Sequence, residues 1–163
     1  MRLIPFILAL LLGACGGDVP KSKINVGSPA PAFKTVNMAG TPAAFPEEFA
    51  GKPLVIRFWA DWCKYCEGEM KAIEQVYQRH QAKGLTILAV NTGQDARTVN
   101  AFMQKIGVSY PALLDEQSGI ARSYGVVGLP TTYFVDAGGV IRAKIVGEAD
   151  EVTFERHAME LLK

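Results

Sequence analysis

Pro53-Leu54-Val55-Ile56-Arg57-Phe58-Trp59 is a nearly continuous apolar run that ends just ahead of two cysteines spaced as Cys63-x-x-Cys66. A strand with one wet face alternates apolar and polar residues. An unbroken run reads instead as a strand covered on both faces, which puts it inside an α/β sheet. Helical periodicity takes over at the cysteines: a helix is expected from Cys63 to about Ala82, closed by Gly84, with Met70, Ile73, Val76 and Tyr77 at helical spacing.

The remaining pattern repeats this alternation. Leu85 to Asn91 reads as a second buried strand. Asp95 to Ile106 reads as a helix with Val99, Phe102, Met103 and Ile106 on one face, ended by Gly107. Ser118 to Tyr124 reads as a shorter helix. Thr131 to Asp136 and Val140 to Val146 read as a hairpin around Ala137-Gly138-Gly139, and a last helix spans about Glu148 to Leu162. Ahead of the buried run, Phe33 to Asn37 and Ala43 to Phe45 read as short strands, and Pro46 to Phe49 as one helical turn. The fold class is α/β: a parallel βαβ unit and an antiparallel hairpin in one central mixed sheet flanked by helices, with an N-terminal β extension.

The 163 residues suffice for one well-filled domain, assigned to 29–163. The 17 Lys+Arg nearly balance the 16 Asp+Glu, so no basic face for nucleic acid is expected. A monomer is expected.

Met1-Arg2 precedes a run of about ten apolar residues, the length of a signal-peptide core and too short to span a bilayer. Leu12-Gly13-Ala14-Cys15 follows and resembles the bacterial lipobox. That resemblance implies cleavage before Cys15 and a diacylglycerol on its thiol, so that 1–14 is the signal peptide and 15–28 a lipid-anchored tether. An ordinary signal peptide with a chance cysteine is the plainer alternative; an uncleaved membrane helix is a third. Gly16, where enteric-type sorting places Asp for inner-membrane retention, leans toward the outer membrane in an organism that has one. Residues 16–28, rich in Gly, Ser, Lys and Pro, have little to bury.

Cys63, Cys66 and Cys15 are no disulfide framework in a chain of this length. A cysteine at a helix N-terminus faces backbone N–H groups that stabilise its thiolate, so Cys63 is expected to ionise readily, with Lys64 as a nearby cation. Cys66, one turn on, is expected to be less exposed. The implied chemistry is dithiol exchange: Cys63 attacks a substrate disulfide, and Cys66 then attacks Cys63 and releases the reduced substrate. It needs no metal or organic cofactor. A zinc site would require His80 and His157, which lie on different helices without ligand spacing. An inert structural disulfide is the other alternative.

Trp-Cys-x-x-Cys after Phe58-Trp59-Ala60 resembles thioredoxin. Three further segments resemble its exported TlpA/ResA/DsbE-like relatives. They are Val26-Gly27-Ser28-Pro29-Ala30-Pro31-Ala32-Phe33 leading to Gly40, Glu69 within Cys-x-x-Glu-Met, and Gly128-Leu129-Pro130-Thr131-Thr132-Tyr133-Phe134-Val135-Asp136 with the Gly-rich turn after it. The resemblance implies a cis Leu129–Pro130 bond beside the cysteines, a Leu129 backbone that pairs with incoming peptide, and a Glu69 that moves protons or tunes the thiols. Trp62 is expected to pack, and to shield the disulfide from the substrate side; Trp59 is expected to pack. Two positions depart from the pattern. Arg57 stands where relatives carry Asp or Asn. Either it pairs with Glu69 or lies near Cys66, or its stem covers the sheet and its head reaches water. Lys64-Tyr65 replaces the usual proline-containing dipeptide, which leaves the redox potential open.

The resemblance implies an extracytoplasmic, membrane-anchored reductase of protein disulfides, drawing electrons from a membrane thiol–disulfide carrier, with apocytochrome c among the substrates of such relatives. An oxidase or isomerase uses the same residues. A peroxiredoxin would carry Thr where Ala60 stands, and a thioredoxin-fold copper chaperone would space its cysteines more widely.

Overall fold

Every residue of Leu54–Trp59 is buried, as its unbroken apolar pattern requires. In this computed structural model, which describes residues 24–163, that strand is the centre of the molecule. The signal peptide, Cys15 and the tether up to residue 23 lie outside the described residues. The elements in chain order are β1 (Phe33–Val36), β2 (Pro42–Phe45), β3 (Leu54–Trp59), α1 (Cys66–His80), β4 (Thr86–Thr92), α2 (Ala96–Ile106), β5 (Ala112–Asp115), α3 (Gly119–Ser123), β6 (Thr131–Val135), β7 (Ile141–Val146) and α4 (Glu151–Leu161).

The main sheet runs β5-β4-β3-β6-β7, and β1 and β2 form a separate antiparallel pair. β3, β4 and β5 are mutually parallel; β6 is antiparallel to β3, and β7 to β6. This is the mixed sheet expected from the sequence. Alternation along β3 sends Val55 and Trp59 to one side, into a core with both cysteines, Met70 and Ile73 of α1, Val99 and Phe102 of α2, and Phe154 of α4. Leu54, Ile56 and Phe58 face the other side, against Phe33, Phe45, Ile120, Tyr124 and Tyr133.

Residues 27–37, which include β1, strap this second face from edge to edge. At one edge Gly27 N–H donates to Ile141 O (2.8 Å) and Ile141 N–H to Ser28 O (3.0 Å). At the other edge Asn37 bridges to Leu113 of β5, and Thr35 Oγ1 donates to Leu114 O. Midway, the Tyr124 hydroxyl donates to Pro31 O at 2.8 Å. The strap thereby pairs with the start of β7 and with Leu113 and Leu114 of β5, which blunts the tendency of those edges to pair with other chains.

β5 is absent from the sequence expectations, and three local expectations are corrected. β5 carries no alternation and only four residues, all buried; pairing with β4 defines it, not its own pattern. The helix after β3 starts at Cys66, not Cys63, because Cys63 N–H donates to Ala60 O (3.2 Å) and Cys66 N–H to Cys63 O (3.1 Å), folding that stretch as turns. It ends at His80 and passes into a 3₁₀ turn, Gln81–Lys83, closed by Gly84 at φ 97°, a left-handed position that suits glycine. Pro46–Phe49 is a turn after a cis Phe45–Pro46 bond, not a helical turn. The final helix starts at Glu151, where the Asp150 carboxylate accepts the Thr153 N–H at 2.7 Å.

Candidate active site

β3 ends at Trp59, and the chain turns through Ala60-Asp61-Trp62 to deliver Cys63 to the mouth of α1. Cys63 and Cys66 form a disulfide, with Cα atoms 5.4 Å apart. Cys63 retains 7% exposure and Cys66 none, so the first cysteine is the one an incoming group can reach. Lys64 and Tyr65 between them point outward, the ammonium 5.1 Å from the phenol ring centroid.

The turn carrying Cys63 is locked from the β4–α2 connection. Gln94 Oε1 accepts the Asp61 N–H at 2.9 Å, Gln94 Nε2 donates to Asp61 Oδ1 at 2.6 Å, and Asn91 Nδ2 donates to Gln94 Oε1 at 2.9 Å. Sequence reasoning missed Asn91 and Gln94. The available signal was a polar Asn at the end of an otherwise apolar strand, two residues before a Gly-Gln pair.

Trp62 is 70% exposed and packs into no core, which corrects the expectation that it is a packing residue; Trp59 is wholly buried, its ring 4.9 Å from Phe102. The Leu129–Pro130 bond is cis, Pro130 is buried, and Leu129 packs at the border of the two cores. Val127, two residues ahead of Leu129, is 90% exposed, and with Trp62 and half-exposed Tyr65 it is among the large apolar side chains open to solvent. A mixed-charge cleft of about 530 Å³, lined by Asp61, Glu67, Arg97, Thr98, Phe102 and Lys105, opens beside the Cys63 turn. There the Glu67 carboxyl is drawn down to about 2 by hydrogen bonds from Lys105 and then Lys71.

One turn along α1 from Cys66 lies a buried ion pair. Arg57 Nη1 donates to Glu69 Oε1 at 2.9 Å and to Thr132 Oγ1 at 3.0 Å, and its side chain has no exposure. Of the two readings of Arg57, the fold adopts the pairing with Glu69; the guanidinium does not reach water. Glu69 Oε1 also accepts the Ala149 N–H at 3.3 Å. Thr132 and Ala149 carry no signal in the sequence that would place them here. The two histidines considered as zinc donors are engaged elsewhere: His80 Nε2 pairs with Glu155 Oε1 at 2.6 Å, and His157 packs on Phe134. Among the described residues no group of three or more His, Cys, Asp or Glu is placed to hold a metal ion.

A strand-end dithiol pair with its reactive member outward is the geometry of thiol exchange. The AhpC/TSA family model matches residues 26–144. The chain belongs to the AhpC/TSA family. It is 34% identical over 157 residues to the thiol–disulfide oxidoreductase ResA of Geobacillus thermodenitrificans, covering 93% of this chain and 90% of that one. ResA of Bacillus subtilis is 30% identical, over 96% and 90% respectively. Among solved structures, a Chlorobium tepidum protein assigned as the thiol:disulfide interchange protein DsbE superposes with a TM-score of 0.80 at 25% identity, over 86% of this chain and 99% of that one. Within the AhpC/TSA family this chain is a thiol–disulfide oxidoreductase of the ResA/DsbE type with a thioredoxin-like fold, and such enzymes work through a cysteine pair without a cofactor.

Proposed function

We propose that this oxidoreductase is an extracytoplasmic, lipid-anchored reductase of protein disulfides. The observation that supports it best is the unequal exposure of the pair, 7% for Cys63 against 0% for Cys66, which orders the two attacks. Cys63 attacks the substrate disulfide and forms a mixed disulfide; Cys66 then attacks the Cys63 sulfur, and the substrate leaves as a thiol. Glu69 takes up or returns the proton of the buried Cys66. Leu129 and Pro130, with Trp62, receive the substrate strand, and Lys64, Tyr65 and Arg57 tune the couple.

Cys15 carries the lipid after removal of 1–14, and the stretch from Cys15 up to the strap, which begins at Gly27, tethers the domain, leaning to the outer membrane in an organism that has one. A membrane thiol–disulfide carrier supplies the electrons, and the cysteine pairs of apocytochrome c are among the substrates. Among the described residues no helix is long and apolar enough to cross a membrane.

The deciding experiment is the reduction potential of the Cys63–Cys66 couple in glutathione and dithiothreitol redox buffers. A value at or below that of thioredoxin, about −270 mV, is the expected result. A value near that of a strong dithiol oxidant, about −120 mV, would reverse the direction and make the protein an oxidase or isomerase. Labelling with a radioactive fatty acid checks the anchor: the wild type takes up label and Cys15→Ala does not.

A further inference from the structure

Cys66 is wholly buried, yet it must shed its proton before it attacks the mixed disulfide. A thiolate in an apolar core is costly unless something nearby offsets its charge. Glu69 sits three residues beyond Cys66 on α1, one turn away. Its carboxylate is held asymmetrically. Oε1 takes both the Arg57 guanidinium and the Ala149 N–H, whereas buried Oε2 has no hydrogen-bond partner among the described residues. The same Arg57 Nη1 that donates to Glu69 also donates to Thr132 Oγ1, while Nε and Nη2 have no partner among the described residues, and Arg57 lies on the β3 face that looks toward α1.

We propose that Arg57 is the positioning residue of the resolving step: it anchors Glu69 by one oxygen and provides the fixed charge against which the Cys66 thiolate forms. The proposal rests on the dithiol cycle above. Before the transfer the group is Cys66 thiol, Glu69 carboxylate and Arg57 guanidinium, net zero. The proton moves to Glu69 Oε2, leaving Cys66 thiolate, a neutral Glu69 and the same guanidinium, again net zero. The thiolate then bonds to the Cys63 sulfur, breaks the mixed disulfide and expels the substrate thiolate. Without Arg57 the same transfer would run in a buried site carrying a net negative charge throughout, which desolvation penalises.

Other ionisable groups packed around the site are committed elsewhere. From the α2–β5 connection, the Tyr110 hydroxyl donates to Met70 O at 3.0 Å, and burial pushes it above its ordinary value, so it stays protonated. Glu74, further along α1, accepts from Ser109 N, Ser109 Oγ and Gln78 Nε2. On the α2 side Lys105 is bound to Glu67, and Arg97 is exposed in the outer cleft. From the β7–α4 connection, Glu148 and Asp150 are exposed, and Asp150 caps α4. β6 contributes only the uncharged Thr132.

The test is stopped-flow reaction of the reduced protein with a chromogenic aryl disulfide. The first aryl thiolate is released by Cys63 at a rate set by reagent concentration; the second is released by Cys66 at a rate independent of it. Arg57→Gln is expected to slow the second release roughly tenfold near neutral pH, the effect of about one unit in thiolate population. Its pH profile moves upward, the first release changes less than about twofold, and Arg57→Lys recovers most of the loss. An unchanged second release and profile, or equal slowing of both releases, overturns the proposal. Where Arg57→Gln does not fold, Glu69→Gln is compared with Arg57→Met/Glu69→Gln, whose buried site is uncharged. The double variant should be about tenfold slower in the second release than the single. Equal rates overturn the proposal. Failure of the wild-type first release would instead sink the dithiol cycle.

Discussion

Gln94 makes two hydrogen bonds to Asp61 and a third with Asn91, so one amide side chain holds the turn that presents Cys63. Gln94→Ala removes all three and should cost about 1–2 kcal/mol of stability, measured by urea unfolding. The larger effect should be kinetic, with kcat/KM for reduction of a protein disulfide falling about tenfold because the nucleophile is less well held. The two tryptophans separate in the opposite sense. Trp59→Ala should cost about 3–5 kcal/mol, since Trp59 fills the core beside Phe102. Trp62→Ala should cost under about 0.5 kcal/mol and instead raise KM for protein substrates, because its ring stands in solvent next to the disulfide. A Cys pair at a strand-to-helix junction has few physical uses and is readable in a sequence; Glu69 and Pro130 were singled out only by the family resemblance. Gln94 is not readable, because an amide acquires meaning only from the backbone it happens to meet. Trp62 was misread for a related reason, since bulk alone says nothing about which way a turn points it.

At the scale of elements, α4 matters to the site although it contributes no side chain to it. Asp150 caps α4, and the preceding Ala149 N–H meets Glu69. Asp150→Ala should cost about 1 kcal/mol, read by thermal unfolding, through loss of the cap. The far end of α1 is bound to α4 by Arg79, which reaches Glu151 at 2.6 Å and Glu155 at 3.1 Å, and by His80, which reaches Glu155. Hydrogen bonds from Arg79 and then His80 hold the Glu155 carboxyl below its ordinary value, against the opposing effect of burial. A depressed carboxylate contributes stability that is fully present above its unfolded value, about 4.3, and is lost as pH falls through the folded one. Unfolding midpoints should therefore drop as pH is lowered past about 4.5, and Glu155→Gln should show a shallower drop over that window. Elements with a period of their own, such as α2 with Val99, Phe102 and Ile106 on one side, were legible. β5 was not, because four buried residues carry no period and owe their identity to β4.

The whole molecule depends on its strap. Residues 27–37 tie the start of β7 to β5 across the face that Phe33 helps to fill, and they touch both edges of the sheet. A chain beginning at residue 46 should bare that face and both edges, and should elute as aggregates in size-exclusion chromatography where the longer chain does not. This path is invisible in the local pattern. Apart from the family resemblance, its residues read as the end of a tether, a loop and a short strand, and the distance they bridge gives them a structural role.

The strap also settles where the described chain comes in. Gly27 meets Ile141, which pairs with Val135 and, through it, with Leu54 at the start of the central strand; the disulfide follows Trp59 at the other end. About 20 Å of strand separates the two. The molecule thus has a handle at one pole and a working tip at the other. Fixed to an electrode or a resin bead through residues ahead of Ile24, it should hold its sulfurs away from the support and turn over dissolved substrates as fast as the free protein.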